Sequence, residues 1–561
     1  MPLPHKRMIR LLYLDLTTGN HSTIHSKLQP VNFDESCVYK ALSYVWGDEG
    51  EQLPIFIDGK RHWVTPNCRA ALRRLREIGV VCLWVDAICI NQRDESEKRD
   101  QLALMRDIYH FADEVVIWLG YSELEAKRDR HRKQIETLAF ALIRVLDSKA
   151  NSYMEDSIRL LVQGSKREPA WRALGKILMH KWFERLWTYQ ELLVAAKASF
   201  VFQYYHIAYD KVLNPAMALW EFLLQHDYIN TGPLPNLRPA LLAASRRSKA
   251  WRCYDRDSGQ LRNRTLLDVL QDTLHLECSN PKDRVFAIMG LVKDRLNRTI
   301  RLDYGQSVAT LYTMCALEII EENESLEVLS LAGIDDHCRR NRDALPSWVP
   351  DWQTGAWERT IPVQHGLYKA ASNSTPIQRY LHDHSTLEAH GFHVDTICRE
   401  FSLQSRSYSY GLADWCARFE KYPNGDSEYH AWVRTITLDR SDHSTAEFSR
   451  LPPDIFQQYV ELSQLPRRPG EDRKSHRYYR TIRSAIKSRK FILSKSGYMG
   501  LGPLATETND MICVLRGCNV PVVIREEHGH HLFIGACFVW GLMDGEVIKH
   551  GMGNGREMYV L

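Results

Sequence analysis

The stretch from residue 39 to residue 120 constrains the fold most, because strand-like and helix-like patterns alternate along it. Three short apolar runs, rich in aromatic and β-branched residues, occur at 39–46, 80–90 and 114–120. The second run is predicted to be a buried strand that ends at an acidic residue, Asp86. Strand, helix, strand, helix and strand in this order predict a parallel sheet with right-handed crossovers.

The two helices of this alternation have recognisable ends. The first is predicted to begin at Pro66 and to end before Gly79, which are residue types favoured at those positions. Asp94 and Glu97 have the spacing of a capping box at the start of the second helix, so we interpret them as capping residues rather than as catalytic groups. The second helix has an apolar stripe, formed by Leu102, Met105, Ile108, Tyr109 and Ala112.

Composition limits the class of protein. With 561 residues the chain is long enough for about three domains. Its content of 44% hydrophobic and 25% charged residues is that of a folded globular protein. The N-terminus lacks the pattern of a secretory signal and no apolar run reaches about 18 residues, so we predict a cytoplasmic protein without a membrane span. The thirteen cysteines contain no CxxC pair, which favours reduced thiols over a zinc site.

The chain is predicted to contain three regions. An N-terminal α/β domain occupies residues 1–210, with a helical insertion at about 121–180. A mainly helical middle region covers 211–384. Residues 385–561 form a β-rich region, in which closely spaced strands with glycine punctuation indicate a small barrel or sandwich. This region is interrupted by a polar, partly helical insertion at about 401–488.

Three sequence blocks carry a resemblance to a known family. They are YKALSYVWGD (39–48), LWVDAICINQRDESEKRDQLALMRDIYHFADEVVIWLG (83–120) and WFERLWTYQELLVA (182–195). In this order they resemble the fungal heterokaryon incompatibility (HET) domain proteins. NPKDRVFAIMGL (280–291) and LPSWVPDW (345–352) are similar to segments that accompany the domain. The resemblance implies that residues 1–210 form a HET domain.

What the resemblance implies is a biological role and a fold. HET-domain proteins are associated with non-self recognition between fungal cells and with the programmed cell death that follows fusion of incompatible cells. The domain is remotely similar to TIR domains, so a TIR-like, flavodoxin-like parallel sheet is implied. The expected partners are further copies of this chain or another incompatibility protein, and the small net charge of +4 argues against a nucleic acid.

Glu191 is the residue for which the resemblance implies a catalytic role. It lies four residues after Trp187, so on a helix the two side chains share one face. In TIR domains that cleave NAD, the glutamate of the matching pair is the catalytic residue. One carboxylate can suffice, because the cleaved ribose is positively charged in the transition state and nicotinamide leaves from a cationic nitrogen. NAD would then be a substrate, and no cofactor is implied.

Several residues after the first two strands are predicted to line the same crevice. Ligands bind outside the carboxyl ends of the strands in open parallel sheets. Asn91 and Gln92 would either bind a ligand or shape the turn, and Asp86 would either bind a ligand hydroxyl or join a structural hydrogen-bond network. The predicted ligand-binding residues are Tyr44, Trp46, Gly47, Asp86, Asn91, Gln92 and Trp187.

Alternatives to an enzyme stay open. Glu191 would be structural if it paired with Arg185 or Lys181 on a half-exposed face. The chain would then be a non-catalytic, oligomerising recognition module. The basic run 473–490 suggests a third function, a nuclear regulator that binds nucleic acid, although a solvated helix also explains it. The histidines of 526–531 are interpreted as part of a turn, and no metal site is predicted.

Overall fold

The computed structural model describes most of the chain, in which two compact units can be distinguished. The first unit comprises Met1–Arg264 and His275–Gly305, and the second comprises Thr265–Leu274 and Gln306–Leu561. The described residues are 3, 7–17, 23–33, 37–47, 50–120, 132–149, 168–225, 238–258, 260–292, 300–334, 345–353, 366–372, 374–376, 378–380, 386–402, 421–441, 449–464, 477–551 and 554–561.

The chain up to residue 261 forms short strands and helices of the first unit. The strands are β1 (Met8–Leu14), β2 (His25–Asn32), β3 (Lys40–Ser43), β4 (Leu53–Ile57), β5 (Lys60–Val64), β6 (Cys82–Trp84), β7 (Glu114–Trp118), β8 (Ala198–Val201), β9 (His206–Ala208), β10 (Tyr254–Asp255) and β11 (Gln260–Leu261). The helices are α1 (Pro66–Glu77), α2 (Asp86–Cys89), α3 (Glu95–Phe111), α4 (Arg132–Lys149), α5 (Glu168–Leu178), a 3₁₀ turn (Lys181–Glu184), α6 (Trp187–Leu193), α7 (Asp210–Gln225) and α8 (Arg238–Cys253).

The remaining elements follow in chain order. Helix α9 (Leu266–Thr273) belongs to the second unit, and α10 (Asp283–Met289) belongs to the first. The helices that follow are α11 (Val308–Asn323), a 3₁₀ turn (Glu327–Leu331), α12 (Glu428–Ile436), α13 (Pro453–Gln464), α14 (Arg477–Ile486) and α15 (Glu546–Lys549). The strands are β12 (Gln378–Tyr380), β13 (Leu387–Ser402), β14 (Arg440–Ser441), β15 (Ser449–Arg450), β16 (Arg489–Ser494), β17 (Met499–Pro503), β18 (Met511–Leu515), β19 (Val522–Glu527), β20 (His530–Ala536), β21 (Phe538–Val539) and β22 (Asn554–Val560).

A nine-stranded mixed sheet organises the first unit. Its order is β5-β4-β2-β1-β6-β3-β7-β8-β9. The central strands β6, β3, β7 and β8 are parallel to one another, which confirms the predicted α/β fold with a parallel sheet. The outer strands differ from the prediction, because β1 pairs antiparallel with both β2 and β6, and β9 pairs antiparallel with β8. The hairpins that widen the sheet were not predicted from the sequence.

The second predicted strand is shorter than the sequence suggested. The apolar run 80–90 forms a strand only at β6, and Asp86 begins the short helix α2 instead of ending the strand. The amides of Ile88 and Cys89 both donate to the carbonyl oxygen of Val85, which closes the helical turn. An apolar run cannot by itself distinguish a strand from a buried helical turn. The prediction of a strand that reaches Asp86 was therefore wrong.

The ends of the first and third helices follow the predicted rules. Pro66 lies in the first turn of α1, and Gly79, with φ +81°, follows the end of this helix. Asp94 caps α3 by accepting hydrogen bonds from the amides of Ser96 and Glu97. The Glu97 carboxylate turns to the Arg10 guanidinium. Asp94 is thus a cap as predicted, whereas Glu97 acts in an ion pair.

The second unit is built on a nine-stranded sheet, and its β-rich character was predicted. The main path is β20-β19-β18-β13-β16-β17-β21, and β12 and β22 also pair with β13. His528 and Gly529, both with positive φ, form the turn between β19 and β20, as interpreted from the sequence. Helix α14 lies in the basic run and buries Ala485 and Ile486 while Arg483 is exposed, as expected of a solvated helix. Residues 473–476 of that run lie outside the described residues.

No described helix is both long and apolar enough to cross a membrane. Helices α4 and α5 lie within the predicted insertion at 121–180, whose other parts lie largely outside the described residues. Helices α12 to α14 lie within the predicted insertion at 401–488. The three-region division itself stays a prediction.

Candidate functional site

A cavity of about 880 Å³ opens in the first unit where the central parallel strands end. This volume is within the usual range for ligand pockets. Segments far apart in the sequence line it: the loop after β3, the α2 region, α3, the start of α6, and the chain around α10. The lining includes Trp46, Gly47, Asp86, Gln92, Lys98, Met105, Lys181, Arg185, Trp187, Glu191, Glu277, Asn280, Asp283, Arg284 and Tyr304.

Glu191 lies in the cavity wall on α6 and is only 5% exposed. Burial raises the pKa of Glu191 to about 7, although the positive charge of Arg185 and a hydrogen bond from Ser43 act in the opposite direction. Asp86 adds a smaller contribution that raises the pKa further. The Glu191 carboxyl group can therefore change its charge near neutral pH.

The hydrogen bonds at Glu191 have a fixed direction. The Ser43 hydroxyl donates to Glu191 Oε2 at 2.5 Å, and the indole Nε1–H of Trp182 donates to Ser43 Oγ at 2.7 Å. An indole N–H can only donate, so the hydroxyl hydrogen of Ser43 is left for the carboxylate. Oε2 therefore accepts, and it cannot carry the carboxyl proton while this arrangement holds.

Asp86 also lines the cavity and holds a tryptophan in place. Its Oδ2 accepts from Trp46 Nε1 at 2.6 Å, and its Oδ1 accepts from the amide of Ala87 at 2.7 Å. Burial raises the pKa of Asp86, while the hydrogen bond from Trp46 and the charge of Arg185 lower it. The Trp46 ring is thus fixed beside Gly47, just after the carboxyl end of β3.

A second tryptophan is tethered in the same way. Trp187 Nε1 donates to Asp283 Oδ2 at 3.0 Å, and the Tyr304 hydroxyl donates to Asp283 Oδ1 at 2.6 Å. Burial raises the pKa of Asp283, while its two hydrogen-bond donors oppose that shift. Two indole rings therefore line the cavity near Glu191, one anchored to the partly buried Asp86 and the other to the buried Asp283.

Positively charged side chains complete the lining. Lys98, Lys181, Arg185 and Arg284 all contribute to the cavity wall. Arg185 also donates through Nη1 to the backbone carbonyl of Tyr44 at 2.5 Å, which fixes its guanidinium near the end of β3. A cavity with buried carboxylates, anchored aromatic rings and several cations can receive a ligand that has planar rings, a positive centre and anionic groups.

The residues predicted from the sequence divide into two groups. Trp46, Gly47, Asp86, Gln92, Trp187 and Glu191 all line the cavity. Tyr44 is buried, with 3% exposure, and is not one of the lining residues. Asn91 is exposed and also outside the lining, and its side chain accepts from the amide of Arg93, which shapes the turn before α3. The structural alternative for Glu191 assumed a half-exposed face, whereas the residue is buried.

Sequence reasoning missed several residues of the site. Ser43 donates to Glu191, and Trp182 donates to Ser43. Asp283 and Tyr304 come from a segment about a hundred residues further along the chain. Asp283 lies in the block NPKDRVFAIMGL, whose resemblance to a family segment implies no role for a particular residue. The alternation of strands and helices gave no signal that this segment returns to the sheet. Among the described residues, no group of three or more potential metal ligands occurs.

The fold and the cavity define an α/β protein with a ligand-sized pocket and a second, β-rich unit. The family model of the heterokaryon incompatibility protein (HET) matches residues 39–191, and that of the Het-6 β-barrel domain matches residues 424–561. Heterokaryon incompatibility protein 6, OR allele, of Neurospora crassa is 25% identical to this chain, over 91% of this chain and 90% of that protein. No solved structure matches the chain.

The chain therefore belongs to the fungal heterokaryon incompatibility proteins that contain a HET domain. The HET match ends at Glu191, and the cavity continues beyond it to Tyr304. Membership of this family supports a role in fungal non-self recognition.

Proposed function

We propose that this chain acts in fungal incompatibility as an NAD glycohydrolase whose activity triggers programmed cell death, with Glu191 as the catalytic carboxylate. The observation that carries the proposal is the position of Glu191: a buried carboxyl group with a pKa of about 7, in the wall of a cavity at the carboxyl end of parallel strands. A carboxylate there can stabilise a positive charge that develops on a bound sugar.

The order of the central strands supports a TIR-like domain. Numbered along the chain, the four parallel strands lie in the order 2-1-3-4, since β6, β3, β7 and β8 are neighbours in that sequence. This is the beginning of the flavodoxin-like order, in which ligands bind between the ends of strands 1 and 3. Ser43 ends strand 1, and Trp46 and Gly47 follow it into the cavity.

The reaction needs little from the protein beyond charge and orientation. Water adds to the anomeric carbon, the nicotinamide–ribose bond breaks, and the products are ADP-ribose, nicotinamide and a proton. The bonding electrons leave with nicotinamide, which becomes neutral, so no acid is needed to protonate it. Ionised Glu191 would face the positive ribose, the anchored ring of Trp46 or Trp187 would stack on a base, and Arg185 would bind the pyrophosphate.

The pH dependence follows from the pKa of Glu191. The reactive form is the carboxylate, and with a pKa of about 7 it is the minor form at pH 6 and the major form at pH 8. We therefore expect the rate of NAD cleavage to rise roughly thirtyfold from pH 5.5 to pH 8 and then to level off. A rate that falls over this range would exclude ionised Glu191 as the reactive group.

The first experiment is the measurement of NAD loss by the purified full-length chain at high protein concentration. Glu191→Gln keeps the shape of the side chain and removes its charge, and we expect at least a hundredfold loss of rate. Glu327→Gln is the matched control, because burial also raises the pKa of Glu327 to about 7 and this residue does not line the cavity. Both variants should elute from a sizing column as the parent does.

Two results would contradict the proposal. One is equal rates for the parent and Glu191→Gln. The other is the absence of cleavage by a parent protein that assembles normally, since we expect self-association or binding to another incompatibility protein in the cytoplasm to switch the enzyme on. The second result would favour a non-catalytic recognition module. The bond from Ser43 to Glu191 would then serve to join β3 to α6.

A further inference from the structure

Three buried residues outside the cavity lining are connected to Glu191 through hydrogen bonds or through helix α6: Ser43, Trp182 and Arg247. Ser43 is 1% exposed, and Trp182 and Arg247 are 0% and 2% exposed. Of the three, none contributes to the cavity lining, so none can touch a ligand there directly. Their effect on a ligand would have to pass through Glu191.

Arg247, on α8, is a cation enclosed by aromatic rings. Its guanidinium carbon lies 5.1 Å from the ring centre of Trp182, 6.0 Å from that of Phe183 and 5.8 Å from that of Tyr189. Nη2 donates to the carbonyl oxygen of Phe183 at 2.6 Å. Within the described part of the chain, Nε and Nη1 have no hydrogen-bond partner. A buried guanidinium with two unused donors is costly unless its charge serves a purpose.

The charge of Arg247 acts on Glu191. Each of the two groups favours the charged form of the other, and burial lowers the pKa of Arg247 only to about 10, so it stays protonated at neutral pH. Arg247 also donates to the carbonyl oxygen of Arg185, just before α6, at 3.4 Å and to the hydroxyl of Thr188, in the first turn of α6, at 3.3 Å. It therefore holds the start of the helix that carries the carboxylate.

We propose that Ser43, Trp182 and Arg247 are positioning residues that fix the Glu191 carboxyl group, leaving Oε1 as its protonation site, and that favour its ionised form. The inference deepens the proposed function and rests on it for the catalytic consequence. Trp182 directs the Ser43 hydroxyl to Oε2, which leaves Oε1 for the proton that is lost on ionisation. Arg247 supplies a positive charge that no ligand can displace, since it lies outside the lining.

Other charged or titratable groups also face Glu191, and their effects are separable. Arg185 lowers the pKa of Glu191 more than Ser43 does, but it lines the cavity and would be expected to bind substrate. Asp86 acts in the opposite direction. Tyr109, on α3, has a pKa raised by burial and by the Glu191 charge, and it stays neutral over the pH range of interest. Changing Ser43 or Arg247 leaves all three in place.

The test measures the ionisation of Glu191 without using enzyme activity. For the parent and Glu191→Gln, the difference in melting temperature is recorded from pH 5 to pH 9. The folded pKa of about 7 exceeds the usual 4.5, so the stability that protonated Glu191 provides is lost as the pH rises between these values. The melting temperature of the variant should therefore rise relative to that of the parent up to about pH 7, above which the difference becomes constant.

The same pair of proteins, with Glu or Gln at position 191, is then compared in four backgrounds. In Ser43→Ala the ionised form loses a hydrogen bond, so the pH at which the difference becomes constant should rise by about one unit. Ser43→Thr keeps the hydroxyl and should restore the parent value. Arg247→Met should also raise this pH, and Arg247→Lys, which keeps the charge, should raise it less. Arg247→Lys and Ser43→Ala still decide the outcome if Arg247→Met does not fold.

The outcomes separate this inference from the proposed function. The positioning role would be overturned if the pH at which the melting-temperature difference becomes constant is the same in Ser43→Ala and in Arg247→Lys as in the parent background, with Arg247→Met either unchanged or unfolded. This conclusion would hold whatever the rate of NAD cleavage. A shifted pH in Ser43→Ala that Ser43→Thr reverses would support it, even if no protein cleaves NAD. If NAD is cleaved, the acid limb of the rate profile should move by the same amount as the stability curve.

Discussion

Asp510 in the second unit and two buried acids beside the cavity of the first unit are held in different ways. In the second unit Asp510, 2% exposed, accepts two hydrogen bonds from one guanidinium, from Arg525 Nε at 2.7 Å and from Nη2 at 3.0 Å. In the first unit Glu191 and Asp283 accept instead from hydroxyl and indole groups. A buried acid with a charged partner is already neutralised, whereas an acid with neutral donors can still meet a cation. The difference supports the placement of the proposed active site in the first unit.

The largest expected effect concerns the ion pair of the second unit. Asp510→Asn removes one charge and, among the described residues, leaves the exposed Glu507 as the ion-pair partner of the Arg525 guanidinium. Breaking a buried pair in this way typically costs about 3 kcal/mol of unfolding free energy. Urea unfolding followed by tryptophan fluorescence would measure the loss. A loss below about 1 kcal/mol would contradict the view that this pair stabilises the unit, and the rate of NAD cleavage serves as the control that should not change.

The second prediction concerns Glu191 and has the opposite sign. Because its folded pKa of about 7 lies above 4.5, removing the charge should stabilise the protein at pH 8 by roughly 3 kcal/mol and should have no such effect below pH 4.5. Thermal melts of Glu191→Gln and the parent at pH 5 and pH 8 would show it. A variant that is less stable than the parent at pH 8 would indicate that Glu191 is a structural residue. A functional group that costs stability is expected at an active site.

Two glycines with the same backbone conformation allow a matched comparison of the units. Gly47 and Gly529 have φ +83° and +84°, and both have space for a methyl group, with the nearest atom for Gly47 on Asn67 at 3.5 Å. Replacement by alanine should cost about 1–2 kcal/mol at each position because of the left-handed conformation. Only Gly47→Ala adds an atom beside the cavity. NAD binding measured by calorimetry should weaken for Gly47→Ala alone; equal weakening by both would show that the effect is a general loss of stability.

The smallest effect is expected for Asp283→Asn. The amide can accept from Trp187 through its oxygen and can donate to the Tyr304 hydroxyl, which is able to turn and accept. The network is therefore repaired, and we expect less than about 1 kcal/mol of change in unfolding free energy, in contrast to Asp510→Asn. The same urea titration provides the measurement. A cost close to that of Asp510→Asn would remove the distinction between the two kinds of buried acid.

The sequence could predict the central parallel strands because each is a short apolar run beside a helix with clear caps. It could not predict the edges of the sheet, since the pairing of β1 with β6 joins residues about seventy positions apart and leaves no local pattern. Six of the predicted residues line the cavity because the carboxyl ends of parallel strands meet by geometry. Asp283 and Arg247 were missed because their positions depend on tertiary packing, which the periodicity of their own helices does not encode.

The path of the chain between the two units affects how the protein is made. Residues 265–274 belong to the second unit, and residues 275–305 return to the first, where Asp283 and Tyr304 complete the pocket wall. On the ribosome, the pocket therefore stays unfinished until residue 304 has emerged, long after Glu191. A nascent or truncated chain that stops near residue 264 would contain the proposed catalytic carboxylate without the anchor for Trp187. The proposed NAD cleavage would thus be withheld from incomplete copies of the protein.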